Sequence, residues 1–432
     1  MNIAPAIPAA VPAALPRRAL LAYGALGLPL AMAALPVYVH VPRLYAEVTG
    51  MSLSLLGVLL LGARLLDAGV DPLLGAWSDR AGGRRRLIVL ALPVLALGML
   101  ALLHPPSTMA PLWLTASLLL TYFAFSLASV AYQAWGAELG SSAAERTRLT
   151  ASREGFGLLG VLVAAALPGL LSSDLAQGLS GLAKLFPLLL LILASWTLSV
   201  TPPVSATRSA ASGNLFGDLR RVLADTRFRS LLLVFVLNGI AAALPATLVL
   251  FFVADVLQAE AWSGAFLALY FASAVAFLPL WVVVARRYGR LRAWLASMVV
   301  AVASFVWAAG LGAGDIWPFA LVCLLSGAAL GADLTLPAAL LADISEQPQG
   351  DDEPRHRAQA GAYFGWWNLV AKLNLAFAAG LSLPLLDVVG YRPGGVEGSA
   401  GLVAVYCLLP LAFKGGAAFL AWRWRDSLEP AR

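Results

Sequence analysis

Arg64, Asp67 and Asp71 are three charges in an apolar stretch running from about Met51 to Trp77. At 100° per residue they fall within about 60° of one helix face. Each charge at bilayer depth costs about 2.5–3.5 kcal/mol, so three facing lipid would cost on the order of 9 kcal/mol. They must face protein or a water-filled cavity. Two carboxylates one turn apart, net negative even beside an arginine, suit a cation site or a proton relay. The bland alternative is a structural triad with Arg64, which still leaves one negative charge to balance. Na⁺ would call for further oxygens, with Ser129 or a nearby hydroxyl or carbonyl as donor; a proton needs only a carboxylate to take it up. Asp67 lies about 15 Å along the helix from Trp77, halfway through a ~30 Å hydrocarbon core.

The elements that position these residues are apolar helices. The chain is 60% hydrophobic and 12% charged over 432 residues, about half the charge of a soluble domain; its mean hydropathy is +0.83. Apolar runs predict an all-α polytopic membrane protein with twelve spans, near 19–42, 51–76, 87–104, 109–138, 149–171, 180–201, 229–256, 262–285, 293–314, 317–344, 358–386 and 399–422. They fall into two six-helix halves, 19–201 and 229–424. Around these lie an Ala/Pro-rich tail (1–18), a linker (202–228) and a short C-terminal tail (425–432). The first span reads as an uncleaved signal anchor. In the linker Leu215, Leu219, Val222 and Leu223 share a face, which predicts a helix on the membrane surface or a plain solvated connector.

Of the 29 lysines and arginines, 22 lie on the side that holds both termini. That asymmetry predicts an inner-membrane protein with both termini in the cytoplasm. It also accounts for the net charge of +6 without nucleic acid. Cys323 and Cys407 sit inside spans and form no metal or disulfide pattern. No Walker loop or nucleophile elbow is present, so ATP-driven work and enzymatic catalysis are not expected. No cofactor is expected, and a monomer is.

Each half has a short basic loop with glycine between its second and third spans: Gly75 to Arg86, carrying Asp79, Arg80, Gly83 and Arg84, and Arg286 to Arg290. Two halves built this way suit a rocking transporter with its site at their interface. Glycines let the helix ends approach, and an Asp79–Arg80 pair can lock one face; the bland reading is topology anchoring. Lys372 lies too deep in span 11 to snorkel, which predicts a carboxylate partner across the halves: Asp67, Asp71 or Asp333. Asp333 is a second-half site residue or that lysine's partner. Asp343 is expected to pair with Arg355 or Arg357, and Lys414 to pack or snorkel. Tyr132, Trp366 and Trp367 can stack on a ligand or simply pack. Asn238, Asn368 and Asn374 can line a path or join helices.

The stretch R-x-x-D-A-x-x-D-P-x-x-G from Arg64 to Gly75 resembles the melibiose-permease-like glycoside–pentoside–hexuronide:cation symporter family of the major facilitator superfamily. So do Ala131 to Leu139 leading into Glu145 to Arg153, and Tyr363 to Lys372 followed by Gly390 to Pro393. The resemblance implies the major facilitator fold. It implies that Asp67 and Asp71 ligate the coupling cation with Arg64 beside them, that Arg153 contacts substrate, and that Lys372 faces the cavity. The family's sugar-binding aspartate of helix 1 falls near Leu30 or Ala31, its helix 4 aspartate near Ser129, and its sugar-stacking aromatic near Gln133. Residue by residue, the cation set is present and much of the sugar set is not.

The reading that follows is secondary transport of a small solute, such as a sugar or related compound, by Na⁺ or H⁺ symport and alternating access. The substrate would sit near Arg153, Gln133 and Trp366. The rivals are transport of an amphiphile, lipid or drug, by symport or proton-driven export, and a membrane sensor or scaffold that transports nothing.

Overall fold

The structure is a computed structural model that describes residues 15–51, 53–81, 83–106, 108–172, 174–203, 215–346, 360–391 and 399–429. Among them every regular element is a helix. The first half comprises α1 (Arg17–Ala25), α2 (Gly27–Val39), α3 (Val41–Thr49), α4 (Leu53–Ala81), α5 (Arg84–Leu102), α6 (Ala110–Leu139), α7 (Ala143–Leu171) and α8 (Leu175–Val200). The linker carries α9 (Leu215–Ala224). The second half comprises α10 (Thr226–Phe251), α11 (Ser263–Tyr288), α12 (Arg290–Ala308), α13 (Ile316–Glu346), α14 (Ala360–Val388), α15 (Ser399–Val403), α16 (Leu409–Arg423) and α17 (Arg425–Leu428).

Helices α1 and α2 run on as one span, and α15 joins α16 through a π turn at Ala404–Leu408. Ten of the spans are long and apolar enough to cross a membrane by composition. Helices α4 and α14 are each 29 residues long, enough to span as well, and they carry Asp67, Asp71 and Lys372.

Helix ends differ from expectation where caps decide them. Helix α7 begins at Ala143, a turn and a half before the predicted 149, because Ser142 Oγ accepts from the Glu145 backbone N–H at 3.2 Å. The Glu145 carboxylate in turn accepts from the Leu15 N–H at 3.0 Å, pinning the chain ahead of α1. Asp225 caps α10 by accepting from the Arg227 and Phe228 N–H groups at 2.8 and 3.2 Å.

The first half packs around Tyr23, Leu26, Met32, Leu95, Trp135 and Phe186. The second half has one core near its basic end, with Phe228, Trp281 and Trp294, and another at the far end around Phe252, Phe319 and Tyr406. Large exposed apolar side chains such as Leu66, Leu97, Leu191 and Val299 coat the outside, as lipid requires. Helix α9 departs from the expected membrane-surface helix. Its Leu219 and Val222 are buried in the second-half core with Phe228 and with Ala76 of α4, so it packs on protein. The halves meet where α4 lies on α14 and where α7 lies on α11 and α13.

Candidate functional site

At the centre of the α4–α14 contact, Lys372 Nζ lies 2.6 Å from Asp67 Oδ2 and 2.7 Å from Asp71 Oδ2. The same ammonium donates to Ser126 Oγ at 2.9 Å. Ser126 Oγ donates to Asp67 Oδ1 at 2.7 Å. Asp71 is fully buried and Asp67 nearly so. One cation thus serves two carboxylates inside the membrane, leaving one negative charge. Such a pair holds only because the partners lie in direct contact with shared hydrogen bonds.

Sequence reasoning anticipated a carboxylate partner for Lys372 and offered three; the structure uses two, Asp67 and Asp71. It differs over Arg64. Neither carboxylate pairs with that arginine, which lies about one turn from Asp67 on α4 and is half-buried. Of the hydroxyls expected there, Ser129 or a neighbour, it is the neighbour Ser126 that makes the contacts, with Ser129 buried nearby. Ser126 lies three residues before Ser129, on the same helix face.

Close backbone approach sets this register. A Cβ on Gly75 would run into the Gly361 carbonyl, one on Gly361 into the Gly75 carbonyl, and one on Gly365 would lie 2.6 Å from the Asp71 carbonyl oxygen. Glycine at all three positions lets α4 and α14 touch main chain to main chain, bringing Lys372 within reach of the aspartates.

At the basic end the same two helices are latched. Asp79 Oδ1 accepts from the Gly361 N–H at 2.8 Å and Oδ2 from the Ala362 N–H at 2.9 Å. These are first-turn donors of α14 that have no partner within their own helix, and the helix dipole favours the negative charge there. Arg84, and not Arg80, holds Asp79: its Nη2 is 2.5 Å from Asp79 Oδ1 and 2.8 Å from Glu138 Oε1, while Nη1 donates to Ser78 Oγ at 2.6 Å. Arg80 folds back onto the Ala76 carbonyl of its own helix at 3.1 Å. Gly83, with φ of +79°, turns the chain so that Arg84 can begin α5.

The second half repeats the device with different partners. Gly289, φ +96°, precedes Arg290 at the start of α12. Arg290 pairs with Asp343 near the end of α13 and with Glu429 at 3.4 Å. Arg146 of α7 meets the other Asp343 oxygen at 2.9 Å, across the halves. The expected partners Arg355 and Arg357 lie outside the described residues.

Other candidates are dispersed. Asp333 pairs with Lys414 and accepts from Trp294 Nε1 at 2.9 Å. It therefore sits within the second half, on the wall of a cavity of about 150 Å³, and not against Lys372. Lys414 is neither snorkelling nor mere packing. Arg153 pairs with its neighbour Glu154 at 2.5 Å. Tyr132 and Tyr23 exchange hydroxyl-to-carbonyl hydrogen bonds with ring centroids 4.7 Å apart, fixing Tyr132 in the first-half core. Trp367 stacks on Phe235 at 3.6 Å, and Asn374 donates to the Phe235 carbonyl at 3.4 Å. Gln133 is half-buried. Asn238 Oδ1 and Trp366 Nε1 are sequestered polar atoms with no hydrogen-bond partner among the described residues.

Residues 20–425 match the sequence model of MFS/sugar transport proteins. The sphingosine-1-phosphate transporter MFSD2B of Mus musculus is 24% identical over 421 residues, covering 90% of this chain and 84% of that protein. Among solved structures, a bacterial homologue of the iron transporter ferroportin in an outward-facing state superposes with a TM-score of 0.74 at 15% identity, covering 95% of this chain and 100% of that one. The human organic anion transporter MFSD10 gives 0.70 at 20% identity, with 94% and 100% covered. The E. coli fucose:proton symporter FucP gives 0.67 at 13% identity, with 93% and 97% covered. The fold is that of the major facilitator transporters.

Proposed function

The chain belongs to the MFS/sugar transport protein family, and we propose that it is a secondary transporter in which a coupling cation competes with Lys372 for Asp67 and Asp71. The family makes it a multi-pass membrane transporter and not an enzyme. The observation that carries the coupling proposal is Lys372 Nζ within 2.7 Å of both carboxylates, one helix from each half contributing.

The empty state is held by that ion pair. Na⁺ or H⁺ arriving at Asp67 and Asp71 supplies the positive charge otherwise provided by the lysine, so Lys372 is released and α4 and α14 can part. Without a cation, parting would strand carboxylates and ammonium separately in a low-dielectric interior, which resists the empty excursion. The Asp79–α14 and Arg146–Asp343 contacts close the basic end, which we assign to the cytoplasmic side of the inner membrane by its arginines. Asn238 and Trp366, each with an unused polar atom, are the substrate-facing groups, and a bound solute would satisfy them.

For the substrate, the melibiose-permease-like motifs favour a sugar-like solute. A second reading, an amphiphile, is favoured by the mouse relative, a sphingosine-1-phosphate transporter, and by Leu30, buried and apolar, near the position of the family's sugar-binding aspartate. Proteoliposomes offered labelled sugars or sphingoid and lysophospholipid substrates, under Na⁺ or proton gradients, test both. The expected result is accumulation collapsed by the matching ionophore and lost in D67N/D71N. Gradient-independent uptake, unchanged in that variant, would overturn cation coupling.

A further inference from the structure

At the basic end, on the side of the molecule formed by α7 and α11, the halves stand apart and leave a groove of about 1390 Å³. Its inner limit is the contact of Leu158 with Ala274 and Leu278, with Gly155 close against Leu278. From there to Arg290 the groove runs about 18 Å at the helical rise. Its walls are apolar, with Phe156 and Leu159 on one half and Val275 and Val282 on the other. Leu159 and Val283 are half exposed, so the groove opens toward lipid.

The rim is strongly basic: seven arginines line the groove against two carboxylates, Asp426 and Glu429. Glu429 is engaged by Arg290 and the Leu291 N–H, and Asp426 is exposed to solvent beside Arg425 at 3.6 Å, so the arginines still outnumber the carboxylates. Arg17 and Arg148 on the first half, and Arg286 and Arg292 on the second, have no ion-pair partner among the described residues. These four guanidiniums form no salt bridge among the described residues, although the Glu145 carboxylate lies close enough to Arg148 to feel its charge; above an apolar slot at the membrane edge they present the fork geometry that recognises phosphate oxygens.

We infer that this groove binds one phospholipid with an anionic head group from the leaflet at the basic end. The phosphate lies among Arg17, Arg148, Arg286 and Arg292, and an acyl chain lies along Leu159, Val275 and Val282. Basic pockets between membrane helices on that side suit such head groups. Because α7 belongs to one half and α11 and α12 to the other, the lipid ties the halves together and favours the closed basic end. The site lies apart from Asp67 and Asp71, and the inference stands whether or not those residues bind a cation.

The test uses the purified full-length chain in detergent, titrated with phosphatidylglycerol. Phosphatidylcholine serves as the zwitterionic control and inorganic phosphate as the head-group control. Native mass spectrometry reads bound lipid. Spin labels on the basic ends of α7 and α11 read the separation of the halves. The variant is R17Q/R286Q/R292Q, with R17K/R286K/R292K to keep the charge and R220Q/R229Q to remove arginines outside the groove. The expected result is one retained phosphatidylglycerol, bound about tenfold or more weaker in the glutamine variant. The lysine variant should bind most of it and R220Q/R229Q should match wild type, with narrower label distances when the lipid is bound. Equal retention of phosphatidylcholine, equal loss in R220Q/R229Q, displacement by millimolar phosphate, or label distances indifferent to lipid would each overturn it.

Discussion

Lys372 on α14 lies 2.6 Å from Asp67 and 2.7 Å from Asp71 on α4, so one ammonium ties the two halves together across their seam at mid-membrane. Removing one partner of a buried pair costs about 3–5 kcal/mol when nothing replaces it. K372A should therefore melt below wild type in a buffer free of coupling ion, and recover when that ion, or acid, neutralises the carboxylates. Thermal unfolding of the purified variant against Na⁺ concentration and pH checks this. A melting temperature equal to wild type under all conditions would show that the pair bears no charge strain.

Gly75 and Gly69 make a matched contrast on α4. A methyl group on Gly75 meets the Gly361 backbone, whereas one on Gly69 meets nothing within 4 Å. Alanine generally favours a helix over glycine by about 1 kcal/mol. G69A should thus be neutral or slightly stabilising with transport intact. G75A should separate α4 from α14, expose cysteines placed at the basic end to a membrane-impermeant maleimide, and abolish transport. Equal accessibility in the two variants would contradict the close-approach account.

Asp79 ties α4 to the first turn of α14 through the Gly361 and Ala362 N–H groups. D79N preserves shape but loses charge, and its amide matches those donors poorly. Hydrogen bonds to a charged group are worth about 1.5–3 kcal/mol. The open fraction at the basic end should rise on the order of tenfold, as measured by spin-label distances between α4 and α14.

Much of this architecture could be read from residue types. Apolar runs located the spans, and arginine placement marked one end as special. Helical periodicity put Asp67 and Asp71 on one face, and the depth of Lys372 required a distant carboxylate. Pairing within that set was not legible. Arg84 and Arg80 both follow Asp79 closely, and only the turn at Gly83 decides which one returns to it. Ser126 and Ser129 share a face, and the choice between them depends on the offset of α6 against α4. Lys414 and Asp333 are 81 positions apart, so nothing local announces their contact. Tyr132 could stack on a ligand or pack, and nothing in the sequence announced the reciprocal bonds with Tyr23 that set it in the core.

The Asp333–Lys414 pair gives a further test. Both residues are buried within the second half, and Trp294 completes the carboxylate's shell. D333N and K414M should each destabilise by about 3–5 kcal/mol, and the double variant should recover much of that, as buried pairs replaced together often do. A double-mutant cycle by thermal or denaturant unfolding measures the coupling. Strictly additive losses would place the two residues in separate roles.

The central claim is that a coupling cation and Lys372 compete for the same two carboxylates. The most direct measurement is the cation-dependent melting of purified wild type, D67N/D71N and K372A in Na⁺, Li⁺ and K⁺ across pH. The account predicts a cation- or pH-specific stabilisation in wild type, none in D67N/D71N, and a larger one at lower concentration in K372A, where the competitor is gone. The same response in all three proteins, or none in any, would contradict it.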